Sequence, residues 1–207
     1  MGKLVVEELQ HRHPNVLSVW AYGQNVGSLD GADVIIDFST PEGFTALMAR
    51  ATVPVVSGTT GVVLPKEPKV ALLHSANFSL GVAVLANLVQ QAKERLPDWD
   101  IEIVELHHNQ KRDAPSGTAL RLADGLGPKK VGRDGPRVPG EVGIHAVRGG
   151  DIVGEHHVYL CGPGERLQLA HIATNRRLFA SGAVQCAEWV RYREPGLYDI
   201  GQVAAGW

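Results

Sequence analysis

Residues 105–119 read Glu-Leu-His-His-Asn-Gln-Lys-Arg-Asp-Ala-Pro-Ser-Gly-Thr-Ala, and this stretch carries more chemistry than any other in the chain. His107 and His108 bring imidazoles that exchange protons near neutral pH. Lys111 can stabilise negative charge that builds on a substrate. Ser116-Gly117-Thr118 opens a helix, whose first backbone N–H groups can hold an anion. Proton donors beside a carboxylate cradle describe an enzyme acting on a small acidic substrate. Neighbours in a strand face opposite sides, so both histidines meet one substrate only where the strand is ending. Spacing alone does not choose between them.

The elements that must position these groups follow from patterning. An alternating run, Ile101, Ile103, Val104 and Leu106, delivers the histidines at a strand end. Further strands are expected around 141–149, 154–161 and 165–174, joined partly by glycine turns such as Arg148-Gly149-Gly150-Asp151, with a short helix at 116–126. This half reads as a mixed or antiparallel sheet with helices on one face. The first half has a different grammar. Residues 3–12 suit a helix, and Val16–Trp20 a short strand. Asp33–Phe38, Val53–Val56 and Val70–His74 read as buried parallel strands. Ser39-Thr40-Pro41-Glu42 starts a helix after the first of these. A long helix runs to about Leu96, and a last one covers about 177–192. Alternating strands and helices imply an α/β, doubly wound Rossmann-like domain, followed by an α+β domain with a mixed sheet.

Ligands in such open sheets bind beyond the carboxyl ends of the strands. Three ends here carry small or polar residues: Phe38-Ser39-Thr40, Gly58-Thr59-Thr60-Gly61 and Ala76-Asn77-Phe78. Each is an ordinary turn by itself; three in one series suggest a cofactor site. No G-x-G-x-x-G loop is present, and no acid at the end of Val16–Trp20 stands ready for a ribose.

The chain has 207 residues, with 20 Lys+Arg against 22 Asp+Glu. That balance gives no electrostatic reason to expect nucleic acid or an anionic membrane as partner. No apolar run is long enough to span a bilayer. Cys161 and Cys186 stand apart without metal or disulfide spacing, which suits a reducing cytoplasm. The nine histidines show no metal-ligand spacing, so no metal is expected. His156-His157 and His11-Arg12-His13 read as surface or core polarity, and Leu178–Val190 as a core stripe.

The unbroken string His-His-x-x-Lys-x-Asp-Ala-Pro-Ser-Gly-Thr-Ala over 107–119 resembles the dihydrodipicolinate reductase family. Asp37-Phe38-Ser39, Gly58–Gly61, Ala76-Asn77-Phe78-Ser79, Gly150–His156 and Arg176 with Phe179–Ala183 extend the likeness to the whole chain. The resemblance implies hydride transfer from NADH or NADPH to a cyclic imine dicarboxylate, giving tetrahydrodipicolinate. It implies His108 as the acid/base group and Lys111 as its partner. His107, Ser116, Gly117, Thr118 and Arg176 are implied for substrate, and Phe38, Gly58, Thr59, Thr60, Ala76, Asn77 and Phe78 for cofactor. It also implies a dinucleotide-binding domain over 1–76, to which 177–207 can return. Residues 77–176 would form a substrate-binding and oligomerisation domain, assembled as a homotetramer. By the same comparison the sequence begins at the end of the family's glycine-rich loop, without the first strand. Loss of that loop would weaken cofactor binding, and the competing expectation is a non-catalytic dicarboxylate-binding or oligomer-interaction protein. Aspartate-semialdehyde and homoserine dehydrogenases share the two-domain plan. The first needs a nucleophilic cysteine, and neither cysteine here lies near a histidine motif.

Overall fold

Short apolar strands and the helices between them build the first sheet. The computed structural model describes residues 1–15, 29 and 31–206. Within them the chain begins with α1 (Gly2–Arg12), β1 (Ile35–Asp37), α2 (Pro41–Arg50), β2 (Val55–Ser57) and β3 (Ala71–His74). It continues through α3 (Leu80–Arg95), β4 (Asp100–His107), α4 (Gly117–Leu122), β5 (Lys129–Val131), β6 (Val142–Arg148), β7 (Gly154–Gly162) and β8 (Glu165–Ala173). It closes with α5 (Arg177–Val190), β9 (Gly196–Tyr198) and α6 (Ile200–Ala205). Met1–Leu80 and Arg177–Trp207 form one unit, and Gly81–Arg176 the other.

In the first unit all strands are parallel, in the order β1-β2-β3-β9. Phe44 and Leu47 of α2 pack with Val55, Val70 and Leu72, while α5 packs against β1, β2, β3 and α1. Val55, Val56, Leu72 and Leu73 are all buried, as strands sandwiched between helices require. Helix α2 starts as its sequence dictates: Thr40 Oγ1 accepts from Gly43 N at 3.2 Å, and Pro41 occupies the first turn. Val16–Trp20 lies outside the described residues. Strand β9 and helix α6 were not anticipated. Gly196-Leu197-Tyr198 has no periodicity of its own and becomes a strand by pairing with β3, after which Asp199 and Gln202 form a capping box for α6.

In the second unit the order is β5-β6-β4-β7-β8. Strands β5, β6 and β4 run parallel, and β7 and β8 are antiparallel to their neighbours, a mixed sheet as expected. Leu85 and Val89 of α3 and Ala119 and Leu122 of α4 cover Ile101, Ile103, Val142, Ile144, Val158 and Leu160. The opposite face carries no helix of this unit in that core. There Glu102 is paired with Arg133, Arg137 and His145. Helix α4 is shorter than 116–126, because Gly125 at φ +75° and Gly127 at φ +148° turn the chain away. The short β5 was also not anticipated; its three residues are fixed by pairing with β6.

Candidate active site

Strand parity and register assemble a polar cluster at the end of the second unit's core. Residues 101, 103, 105 and 107 of β4 share the helix-covered face. Glu105 lies opposite His156 of β7, His156 opposite His171 of β8, and His107 opposite Arg148 of β6. Glu105 is fully buried. Its Oε1 accepts from Arg148 Nη2 at 2.7 Å and from Ser116 N at 3.0 Å. Its Oε2 accepts from Arg148 Nη1 at 2.9 Å and meets His107 Nδ1 at 2.5 Å. Burial alone would raise this carboxyl's pKa, but the bonds from Arg148, His107 and Ser116 outweigh it and hold the pKa below the usual value. A carboxylate only accepts, so His107 carries its proton on Nδ1. Its Nε2 makes no hydrogen bond among the described residues. Burial lowers the His107 pKa, with Lys111 and Arg148 acting in the same direction and Glu105 opposing them. A Cβ at position 154 would come within 3.0 Å of His107 Nε2, so Gly154 leaves this nitrogen its space.

The turn after β4 is tied to the same point. Arg148 Nη2 also donates to Asp113 O at 2.7 Å. Lys111 Nζ lies 2.9 Å from Asp113 Oδ1. Ser116 caps α4, its Oγ accepting from Ala119 N at 3.1 Å, and lies 3.3 Å from His156 Nε2. His156 is buried edge-on to His107, with ring centroids 5.3 Å apart. Burial, reinforced by the neighbouring His107, pushes its pKa down to about 4. His108 follows the strand end; it is half-buried, and its ring makes no hydrogen bond among the described residues. Gly117 is exposed and Thr118 half-buried beside Ser116. Arg176 is exposed at the last position of this unit and makes no hydrogen bond or ion pair among the described residues. The structure therefore brings together His107, Lys111 and Ser116 with three residues the sequence reading gave no role: Glu105, Arg148 and His156.

The other candidates lie in the first unit, at the carboxyl ends of β1, β2 and β3. Asp37 is buried and meets no cation among the described residues. Its Oδ2 accepts from Ser57 Oγ at 2.8 Å and Thr59 Oγ1 at 2.7 Å, and its Oδ1 from Ser39 N at 3.1 Å. Gly58 N donates to Asp37 O at 2.8 Å. A Cβ on Gly58 would fall 2.2 Å from Phe38 Cε1, so the Phe38 ring occupies the space that a side chain at position 58 would need. Phe38 and Phe78 meet edge to face at 5.4 Å. Ser79 N donates to Asn77 Oδ1 at 2.8 Å, and Ser75 Oγ to Asn77 O at 2.6 Å. Thr60 and Ala76 are exposed. Thr59 and Phe78 are buried with their side chains committed to the protein, so they could meet a ligand only through backbone. The resulting surface carries no cationic side chain from these loops, with glycine at its centre and a phenyl ring beside it. Such a surface fits a flat, uncharged ring.

Among the described residues no group of three His, Cys, Asp or Glu could hold a metal ion, and no helix is long and apolar enough to cross a membrane.

Comparison with known proteins agrees with both halves. The model of the dihydrodipicolinate reductase C-terminus matches residues 81–203, and that of the N-terminus residues 1–88. The chain belongs to the dihydrodipicolinate reductase family. The 4-hydroxy-tetrahydrodipicolinate reductase of Nitratiruptor sp. is 47% identical over 97% of this chain and 93% of its own length. That of Methanosarcina acetivorans is 46% identical over 83% and 73%. A solved structure, the dipicolinate-bound dihydrodipicolinate reductase from Paenisporosarcina sp. TG-14, superimposes with a TM-score of 0.69 at 25% identity, covering 94% of this chain and 83% of that one. As a member of this family the chain is an oxidoreductase of lysine biosynthesis that uses a nicotinamide cofactor.

For this family member, the missed residues left partial signals. Glu105 shares a strand face with His107 by simple alternation. Arg148 stands at a strand end before Gly149-Gly150. Nothing in the sequence, however, says that β6 and β7 flank β4, or in which register.

Proposed function

We propose that the chain uses NADH or NADPH to reduce 4-hydroxy-tetrahydrodipicolinate to tetrahydrodipicolinate, with the second unit binding the dicarboxylate and supplying the proton. The observation that carries this reading is the buried Glu105–His107 pair, set among Lys111, Arg148 and the start of α4. The cofactor, when bound, supplies the hydride. Because the product lacks the 4-hydroxyl, that group leaves as water; the conjugated imine so formed takes the hydride at a ring carbon and a proton at the adjacent electron-rich centre. A histidine held by a carboxylate through Nδ1 presents Nε2 for that proton, oriented before substrate arrives. The resemblance assigns this role to His108; the geometry favours His107, because its ring is held by the buried Glu105 carboxylate and that of His108 makes no hydrogen bond among the described residues. His108 then joins Lys111 in binding. The N–H groups at Ser116–Thr118 and the ammonium of Lys111 suit the two carboxylates, with exposed Arg176 as a further contact. In the first unit the backbone at Gly58, Thr59 and Thr60, with Phe38, Ala76, Asn77 and Phe78, would hold the nicotinamide.

A homotetramer built through the second unit's sheet is part of the same reading. Val147 and Ile172, exposed on the face away from α3 and α4, support it.

The test is oxidation of NADH or NADPH at 340 nm, with substrate supplied by the preceding enzyme of the pathway and dipicolinate as competitor. Turnover with competitive inhibition is expected. A folded protein that binds dipicolinate and oxidises neither cofactor would instead be the non-catalytic dicarboxylate-binding protein.

A further inference from the structure

An arginine beside a dicarboxylate site is ordinarily a substrate ligand. Arg148 is not available for that. Its Nη1 donates to Glu105 Oε2 at 2.9 Å and to Val147 O at 2.7 Å. Its Nη2 donates to Glu105 Oε1 and to Asp113 O, both at 2.7 Å. These four bonds use all four N–H groups on the two terminal nitrogens. The fifth, on Nε, is buried and has no partner. Glu105 is equally committed, with two donors on each oxygen.

We infer that Glu105 and Arg148 are a positioning pair: neither touches substrate, and together they fix the His107 ring and the turn that carries Lys111 and Ser116. The pair joins four pieces of chain at one buried point. Glu105 comes from β4 and Arg148 from β6. Asp113 O belongs to the loop holding Lys111, and Ser116 N is the entry to α4. A shift of either side chain would therefore move the proton-transferring imidazole and the anion-binding turn together. Misplacement on the order of 1 Å can cost about a hundredfold in rate.

The charged and titratable groups around His107 are Glu105 on its own strand, Arg148 on β6, His156 on β7, with His171 behind it on β8, and Lys111 in the loop. Of these only Glu105 favours the imidazolium, by hydrogen bond and by charge. Removing its charge must lower the pH at which His107 titrates.

This inference rests on the reductase reading, and the test separates the two. Wild type, H107Q, E105Q, E105D and R148K are compared by thermal melting, NADH binding, dipicolinate calorimetry and the pH profile of kcat/KM. Absence of turnover in wild type would refute the reductase reading, whereas full turnover in H107Q would refute only the assignment of the proton to His107; either result leaves the calorimetry to judge the pair. For the pair, E105Q is expected to lose roughly 10- to 100-fold in kcat, with NADH binding intact. Its His107 limb should move to lower pH, and E105D should recover part of both. R148K keeps the charge but loses the fork to Asp113 O. It should weaken dipicolinate and raise KM more than it lowers kcat, and E105Q should weaken dipicolinate in parallel. Should E105Q fail to fold, E105D and R148K carry the same comparison. The inference is overturned if R148K alone loses dipicolinate while both Glu105 variants bind it normally, which would make Arg148 a ligand. It is equally overturned if folded Glu105 variants keep the wild-type rate and pH profile.

Discussion

Both units bury a carboxylate where a strand ends, and they satisfy it by different means. Asp37, at the end of β1, is held by two hydroxyls and a backbone N–H, with no cation in contact. Glu105, near the end of β4, is held by a guanidinium, an imidazole and a backbone N–H. The first arrangement puts no cation at a surface whose shape is set by Gly58 and Phe38. The second leaves a cationic neighbourhood with a proton to exchange. In the proposed reading a flat ring is recognised by shape and backbone, which needs no cation from the first unit. A dianionic substrate and a proton transfer both require charge, and charge brings sensitivity to pH. The two sites should accordingly fail in different ways.

The largest effect is expected in the charged cluster. Lys111→Ala should lower kcat/KM by roughly 10²–10³, the magnitude of losing one donor to developing negative charge. NADH binding, followed by fluorescence, should be unchanged; a fall there would erase the division between the units. Conversely, Gly58→Val drives a side chain into the Phe38 ring. It should weaken NADH by roughly tenfold or more, equivalent to about 1.4 kcal/mol, and leave dipicolinate binding alone. Overpacking at that point should also cost about 1–3 kcal/mol of stability.

Acid should expose the second unit first. His156 is neutral in the folded chain, with a pKa of about 4 against an ordinary value of 6.5. Because its folded pKa is depressed, its contribution is complete above pH 6.5 and is lost as pH falls towards 4. The loss is on the order of 3 kcal/mol. The Glu105 carboxyl, also held low, adds its own loss at still lower pH. Urea unfolding at pH 7 and pH 4.5 should show the decline, and H156Q should flatten it between those values. A decline of equal size in H156Q would assign acid sensitivity elsewhere. The smallest effect belongs to the surface pair between Arg12 and Glu188, 2.8 Å apart and linking α1 to α5. Arg12→Ala should cost about 0.2–1 kcal/mol by melting, with both ligand affinities intact.

Much of this was legible in the sequence, because the signals were local. Thr40-Pro41 starts a helix by capping geometry, and the apolar runs at 53–56 and 70–74 become strands by pattern alone. The string from His107 to Ala119 put the residues of the proposed proton transfer and anion site in one consecutive stretch. What stayed hidden depends on partners far along the chain. Glu105 and His156 face each other only because β7 pairs antiparallel to β4 in one register, and a slip of one residue would have turned His156 to the other face. Arg148 reaches Glu105 only because β6 lies on the other side. The choice between His107 and His108 is of this kind. The two are adjacent in sequence, and the buried carboxylate that distinguishes them acts through strand parity. Gly196–Tyr198 likewise is a strand only in the company of β3.

The most direct test of the account is therefore kcat/KM for H107Q and H108Q, measured side by side with NADH and enzymatically generated substrate. The account predicts a loss of roughly 10²–10⁴ in H107Q, the usual worth of a positioned acid or base. In H108Q the loss should be much smaller and fall mainly on KM. The reverse order, with H107Q active and H108Q dead, would contradict it and return the proton to the histidine beyond the strand.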